Sequence, residues 1–166
     1  MKKHYLSIVC SLLTLFTFTV SAPVQAEAAL QVPDSQVVSE HIETLDDGSY
    51  FLITITEDIS SCDTRSTQTK SGSKCMTYYD ADNNALWDFT VYGTFQFIPG
   101  SSAGCVSSSY SINIYDSSWE NSYASASKSG NQAIGDATFK KKVLNITTNI
   151  EDVHLVLTCS AYGTLS

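Results

Sequence analysis

Four stretches of this 166-residue chain carry residue types at spacings that chemistry uses. Gly100-Ser101-Ser102-Ala103-Gly104 has the form of a nucleophile elbow, in which a serine on a sharp strand-to-helix turn exposes its hydroxyl. Cys105-Val106 and an alternating run follow it and read as a strand. The chain is also too short for the parallel sheet an elbow needs, so a flexible Ser/Gly loop is expected there. Ser71-Gly72-Ser73-Lys74 and Ser125-Ala126-Ser127-Lys128 have the Ser-x-x-Lys spacing that, on a helix, sets an amine beside a nucleophile. Lys70-Ser71-Gly72 and Lys128-Ser129-Gly130 echo the Lys-Thr-Gly element of penicillin-recognising enzymes. Neither falls in a helical pattern and no Ser-Asp-Asn element accompanies them, so both read as polar turns.

The fourth stretch, Asp80-Ala81-Asp82-Asn83-Asn84-Ala85-Leu86-Trp87-Asp88, offers side-chain oxygens from Asp80, Asp82, Asn84 and Asp88 in the alternation of a calcium loop. Ala85 stands where that loop needs glycine, and Val91 where it needs a bidentate glutamate. An Asp/Asn-rich hairpin turn is the expectation, with weak calcium binding as the alternative; nothing else in the chain calls for a metal or cofactor. Beyond the first residues only His41 and His154 remain as imidazoles, in separate strands, with His154 on the outward parity of its own. No coherent catalytic set emerges, and a small hydrolase would have to use Ser102 or a site containing His154. Beyond the first residues Lys140-Lys141-Lys142 is the one basic run, and it reads as a solvated strand end.

Aromatic residues are the more informative feature. Tyr79, Tyr92, Tyr115, Trp119 and Tyr123 are candidates for ligand contact, because tyrosine and tryptophan exposed on a sheet can stack on sugars or anchor a protein partner. Strand propensity alone also enriches these residues.

The chain opens with basic Met1-Lys2-Lys3-His4 and the apolar run Tyr5 to Val20, then Pro23 and the small-residue sites Val24-Gln25-Ala26 and Ala26-Glu27-Ala28. That order is a cleavable secretory leader, residues 1–26, with a flexible lead-in at 27–35 and a single domain at 36–166. Cys10 belongs to the leader. Removing residues 1–26 takes away two lysines and no acid, leaving 7 basic against 17 acidic side chains and a formal charge of −10. Such a surface repels nucleic acid and anionic lipid, and the expectation is a secreted monomer with an unknown protein or glycan ligand and no membrane attachment after cleavage.

Four cysteines then remain, Cys62, Cys75, Cys105 and Cys159. None lies close to another as metal ligands would, and an even count in an exported chain reads as two disulfides. Three connectivities are open. Cys62 with Cys75 and Cys105 with Cys159 is the expected set, each bridge contributing roughly 3–4 kcal/mol by loop-closure entropy.

A period of two positions these residues. Phe51, Ile53 and Ile55 alternate with Leu52, Thr54 and Thr56 after the turn Asp46-Asp47-Gly48, which closes a hairpin with residues 36–43. Trp87, Phe89, Val91, Phe95 and Phe97 share one parity, with Gly93 marking a bulge or bend. Tyr110, Ile112 and Ile114, then Ala133, Ala137 and Phe139, then Val153, Leu155, Leu157 and Cys159 repeat the pattern. Eight or so strands and no helix in the mature chain point to an antiparallel β-sandwich, Ig-like or jelly-roll-like, with a small β-barrel as the alternative.

Lys70-Ser71-Gly72-Ser73-Lys74, Tyr78-Tyr79-Asp80-Ala81-Asp82, Leu86-Trp87, Phe89-Thr90-Val91-Tyr92-Gly93-Thr94-Phe95 and Ser129-Gly130-Asn131 give residues 68–166 a further property. This part of the chain resembles small secreted proteins of Gram-positive, Firmicutes-type gut bacteria, a group without an assigned activity. The resemblance implies export and a bacterial source and transfers no catalytic residue.

Overall fold

The computed structural model describes residues 35–58 and 67–166. The leader, residues 27–34 of the lead-in, and Cys62 lie outside the described residues. Eight strands follow: β1 (Ser35–Thr44), β2 (Tyr50–Asp58), β3 (Gln68–Tyr79), β4 (Ala85–Ile98), β5 (Ser102–Ile114), β6 (Trp119–Ser129), β7 (Gln132–Val143) and β8 (Ile146–Thr158). No helix appears among the described residues.

Local chemistry closes the hairpins. Between β1 and β2 the turn uses Gly48 at φ 85°, with Asp47 Oδ1 accepting from the Ser49 amide at 3.0 Å. Between β3 and β4, Asp80 Oδ1 accepts from the amides of Asp82 at 3.0 Å and Asn84 at 2.8 Å, while Asn83 takes φ 65°, a conformation asparagine tolerates better than most residues. Gly130 at φ 56° opens the two-residue β6–β7 turn. Leu144 at φ 53° and Asn145 at φ 66° make the β7–β8 turn, with both central residues left-handed as in a type I′ hairpin.

The strands form two antiparallel sheets, β1-β2-β3-β4-β5 and β6-β7-β8. They remain two sheets and do not close into a barrel. Within each sheet the strands follow chain order, an up-and-down meander, so the Greek-key crossings of Ig-like and jelly-roll folds are not made. Turns of two to five residues at five of the junctions within the sheets hold successive strands side by side.

The smaller sheet packs over β3, β4 and β5. Trp87, Phe89, Val91, Phe95 and Phe97 all point into the core, as their parity requires. Trp87 stacks on Phe139 of β7 with centroids 4.0 Å apart and planes 5° apart, and Trp119 meets Trp87 edge-on at 6.2 Å. Such pairs add about 0.5–1.5 kcal/mol each beyond the area they bury. At Gly135 a Cβ would overlap Val91 and Phe89, so glycine sets how closely β7 lies on β4. Gly93 leaves the space that the Phe95 ring fills; the bulge itself falls one step later, between Thr94 and Phe95, where β5 carries the extra residue Val106.

β1 projects beyond the smaller sheet and is exposed along its whole length. Its residues paired with Ile53 and Phe51 are His41 and Glu43, and a bulge interrupts it between Val37 and Ser39. Inward-pointing charge and a bulge are devices that blunt an edge strand against further pairing.

Candidate functional site

The two Ser-x-x-Lys stretches lie on strands and not in turns, while the Gly100–Gly104 stretch is turn through Ser101 and strand from Ser102. Ser71–Lys74 is inside β3 and Ser125–Lys128 inside β6. Their small polar residues lack apolar alternation, so only the cross-strand ladder reveals them as strand. Ser102 begins β5, exposed, beside a cleft of about 340 Å³ whose described lining contains Gln96, Phe97 and Cys105 but no histidine or acid. His154 is outward and exposed, and its Nδ1 pairs with Asp136 Oδ1 at 2.6 Å. Ser125, Asp136 and His154 form one cross-strand row, yet the carboxylate sits between the imidazole and the hydroxyl, so this row does not have the order of a Ser-His-Asp relay.

The calcium-type set does not converge. Asp80 spends its carboxylate on its own turn, including Asn84 Nδ2 at 3.0 Å, and those hydrogen bonds hold it below the usual carboxylate range. Asp88, only 7% exposed, faces away from that turn and binds Asn113 instead. No group of three or more metal-ligating side chains forms among the described residues.

Two of the aromatic candidates separate from the rest. Trp119 is 4% exposed and belongs to the core, a correction to its reading as a surface aromatic: it starts β6 on the inward parity, where Tyr78 and Trp87 enclose it. Tyr123 is exposed but lies on the outer face of the smaller sheet, with its hydroxyl 3.0 Å from Ser125 Oγ.

Tyr79, Tyr92 and Tyr115 are brought to one surface, the outer face of the five-stranded sheet. The antiparallel register lays out its rows: Leu52, Thr77, Asp88 and Asn113; then Thr54, Cys75, Thr90 and Ser111; then Thr56, Ser73, Tyr92 and Ser109. At one end Tyr50 stacks on Tyr79, centroids 4.9 Å apart and planes 8° apart. Asp88 accepts from Asn113 Nδ2 at 3.1 and 3.0 Å and from the Tyr115 hydroxyl. That hydrogen bond first, then burial and the charges of Asp88, Cys75 and Tyr79, push the Tyr115 hydroxyl up to about 12. Tyr92 lies further along, its hydroxyl 3.2 Å from Ser111 Oγ. The result is a hydroxyl-lined surface bordered by aromatic rings, with an amide-anchored carboxylate at its aromatic end. Tyr50, Asp88 and Asn113 were not singled out as binding residues by sequence; their outward parity was visible, but their adjacency depends on the β2–β5 register.

Cys75, Cys105 and Cys159 are free thiols. Cys75 is on the outer face of the larger sheet, near Thr77 Oγ1 at 3.7 Å, and its expected partner Cys62 lies outside the described residues. Cys105 and Cys159 meet at the β6–β7 turn: the Cys105 amide donates to Gly130 O at 2.8 Å and the Cys159 amide to Asn131 O at 3.0 Å. Their expected bond is not made here, because each Sγ is turned toward a carbonyl of its own segment, Ser107 O at 3.2 Å and Ser160 O at 3.5 Å. Burial pushes both thiols above the ordinary range.

No protein-family model, curated protein or solved structure matches this chain.

Proposed function

We propose that this is an exported, non-enzymatic binding module whose ligand is a glycan lying across the outer face of the five-stranded sheet. The observation that carries the reading is the combination at its aromatic end: stacked Tyr50 and Tyr79 beside Asp88, which is anchored by Asn113 and Tyr115. Sugar rings present apolar faces and polar edges, and a sheet face offering tyrosine rings beside Asp, Asn, Ser and Thr side chains complements both. The remaining hydrogen-bond capacity along the Ser and Thr rows would fix orientation.

Export rests on the leader pattern and makes the two disulfides part of the same reading. Position supports the expected pairing: Cys75 is on the outer face, whereas Cys105 and Cys159 share the turn at Gly130-Asn131 on the core side. A bridge from Cys75 to either would have to pass through the sheet.

Glycan-array screening followed by calorimetry tests the function. Retention of a carbohydrate by the wild type, with loss of binding in Tyr79→Ala and Tyr115→Ala, is expected. An array and a cell-wall pull-down that both return nothing, or affinity unchanged in both variants, would remove the proposal.

A further inference from the structure

The larger sheet reaches past the smaller one. β8 packs against β3 and β4, and among the described residues no strand of the smaller sheet packs over the inner face of β1 or β2. With strands about 4.8 Å apart, that overhang has room for one or two further strands beside β8. Its floor is the Ile53–Met76 pair, half-buried on the inward parity, with Ile55 and Lys74 as the next pair along.

β8 is the edge beside this floor, and part of a fourth strand is already laid against it. Thr158 exchanges both backbone hydrogen bonds with Ser166, at 2.8 and 3.0 Å, and Cys159 bridges to Leu165 in the antiparallel sense. Leu165 is 5% exposed, with its side chain against the inner face at Gly72. One step further along β8, Lys74 Nζ reaches out of β3 and donates to Val156 O at 3.1 Å, the bond a strand amide would make there. Because Thr158 turns its amide and carbonyl away from β7, the period of two turns those of Val156, His154 and Asp152 the same way. At His154 and Asp152 no strand stands beside them among the described residues. β1, the free edge of the larger sheet, has a bulge and inward-facing charge, whereas β8 pairs without a bulge from Ile150 to Thr158 and its inward Val153 and Leu155 are apolar.

We propose that the β8 edge takes an extended segment of a partner protein as an added antiparallel strand. Its alternate apolar side chains sit over Ile55–Lys74 and Ile53–Met76 as Leu165 sits over Gly72, and its amide replaces the Lys74 amine on Val156 O. Main-chain bonds supply the affinity in this mode, and the alternate side-chain positions supply the selectivity. The layers exclude a second copy as the occupant. β8 has β3 beneath it, so two copies joined edge to edge at β8 would bring the second copy's β3 into the place that β2 already holds. A lone extended segment has no second layer to collide. The groove opens on the opposite side of the larger sheet from the glycan face, so the two can be filled independently.

Selection of a displayed library of unstructured linear peptides on the full chain, followed by calorimetry and amide exchange with an enriched peptide, tests this. The enriched peptide should carry apolar residues at alternate positions, and its binding should protect the His154 and Asp152 amides, which exchange freely in the protein alone. Methylating one set of alternate peptide nitrogens should abolish binding, and methylating the other set should not. Ile53→Lys should lower affinity about tenfold or more, while Ile42→Lys, on the outer face of the overhang, should leave it unchanged. If Ile53→Lys unfolds, His154→Pro removes an amide that β7 does not use and should give the same loss. A selection that enriches nothing, or binding that leaves both amides exchanging, would overturn the proposal. So would protection of both amides in the protein alone, which would assign the edge to a segment of this chain, or a dimer that Ile53→Lys dissolves.

Discussion

The Tyr115 hydroxyl donates to the carboxylate of Asp88, a residue that points to the outside of the sheet and is nevertheless 7% exposed. Asn113 completes the anchoring from the neighbouring position on β5. The pair ties the loop after β5 to β4 and gives the aromatic end of the surface a fixed polar group.

This relationship has a pH signature. The folded Tyr115 pKa is raised to about 12, above the ordinary tyrosine value of about 10, so the protonated form is favoured by folding. Its contribution is complete below about pH 10 and is lost as pH rises from there through about 12. A tyrosinate absorbance titration should show one late-ionising tyrosine in the wild type. In Asp88→Asn that late step should move back toward the ordinary range; a titration identical to the wild type would contradict the assignment.

The glycan proposal makes a prediction with an internal control. Tyr79→Ala removes one partner of the Tyr50 stack, and an aromatic contact of about 0.5–1.5 kcal/mol corresponds to a several-fold loss of affinity. Tyr123→Ala changes an exposed tyrosine on the other sheet and should leave affinity unchanged. Calorimetry against the same glycan distinguishes a localised surface from general stickiness.

Gly135→Ala should destabilise the protein by about 1–3 kcal/mol or more, because the added methyl meets Val91 and Phe89 in a filled core. The urea midpoint should fall with little change in slope. Gly130→Asn is the contrast: nothing lies within 4 Å of a Cβ there, and asparagine tolerates the positive φ better than alanine would.

Phe139→Ala removes the ring stacked on Trp87 at 4.0 Å and should cost about 3–5 kcal/mol. Near-ultraviolet circular dichroism should report it directly, since Trp87, Trp119 and Tyr78 form one coupled cluster.

Peptide mapping of the protein recovered from an oxidising compartment should link Cys105 to Cys159 and Cys62 to Cys75. A Cys75–Cys159 link would be incompatible with the sheet placement, and persistence of free thiols would count against export. In the reduced state Cys105 and Cys159 should alkylate slowly at neutral pH, because burial raises both thiols and lowers their thiolate fraction.

The alternation of apolar and polar residues determined which side of each strand faces inward, and for β4 it did so residue by residue. A side chain's parity is a property of the backbone and needs no knowledge of the partner strand. The Asp46–Gly48 and Asp80–Asn84 turns were equally legible, since their side chains and permissive φ values act within a few residues. Strands poor in apolar residues were not: Ser71–Lys74 and Ser125–Lys128 look like turns until their ladders are formed.

Tertiary structure alone decided which surfaces share residues. Tyr79 and Tyr115 are far apart in the chain, yet the β3–β4–β5 register brings both beside Asp88, while Tyr123 goes to the opposite sheet and Trp119 into the core. The strands of each sheet pair in chain order and not as a Greek key, and which sheet each strand joins depends on the break between β5 and β6. Parity is local and repeats every two residues; adjacency is long-range and is set by hydrogen-bond register and by which apolar faces find each other.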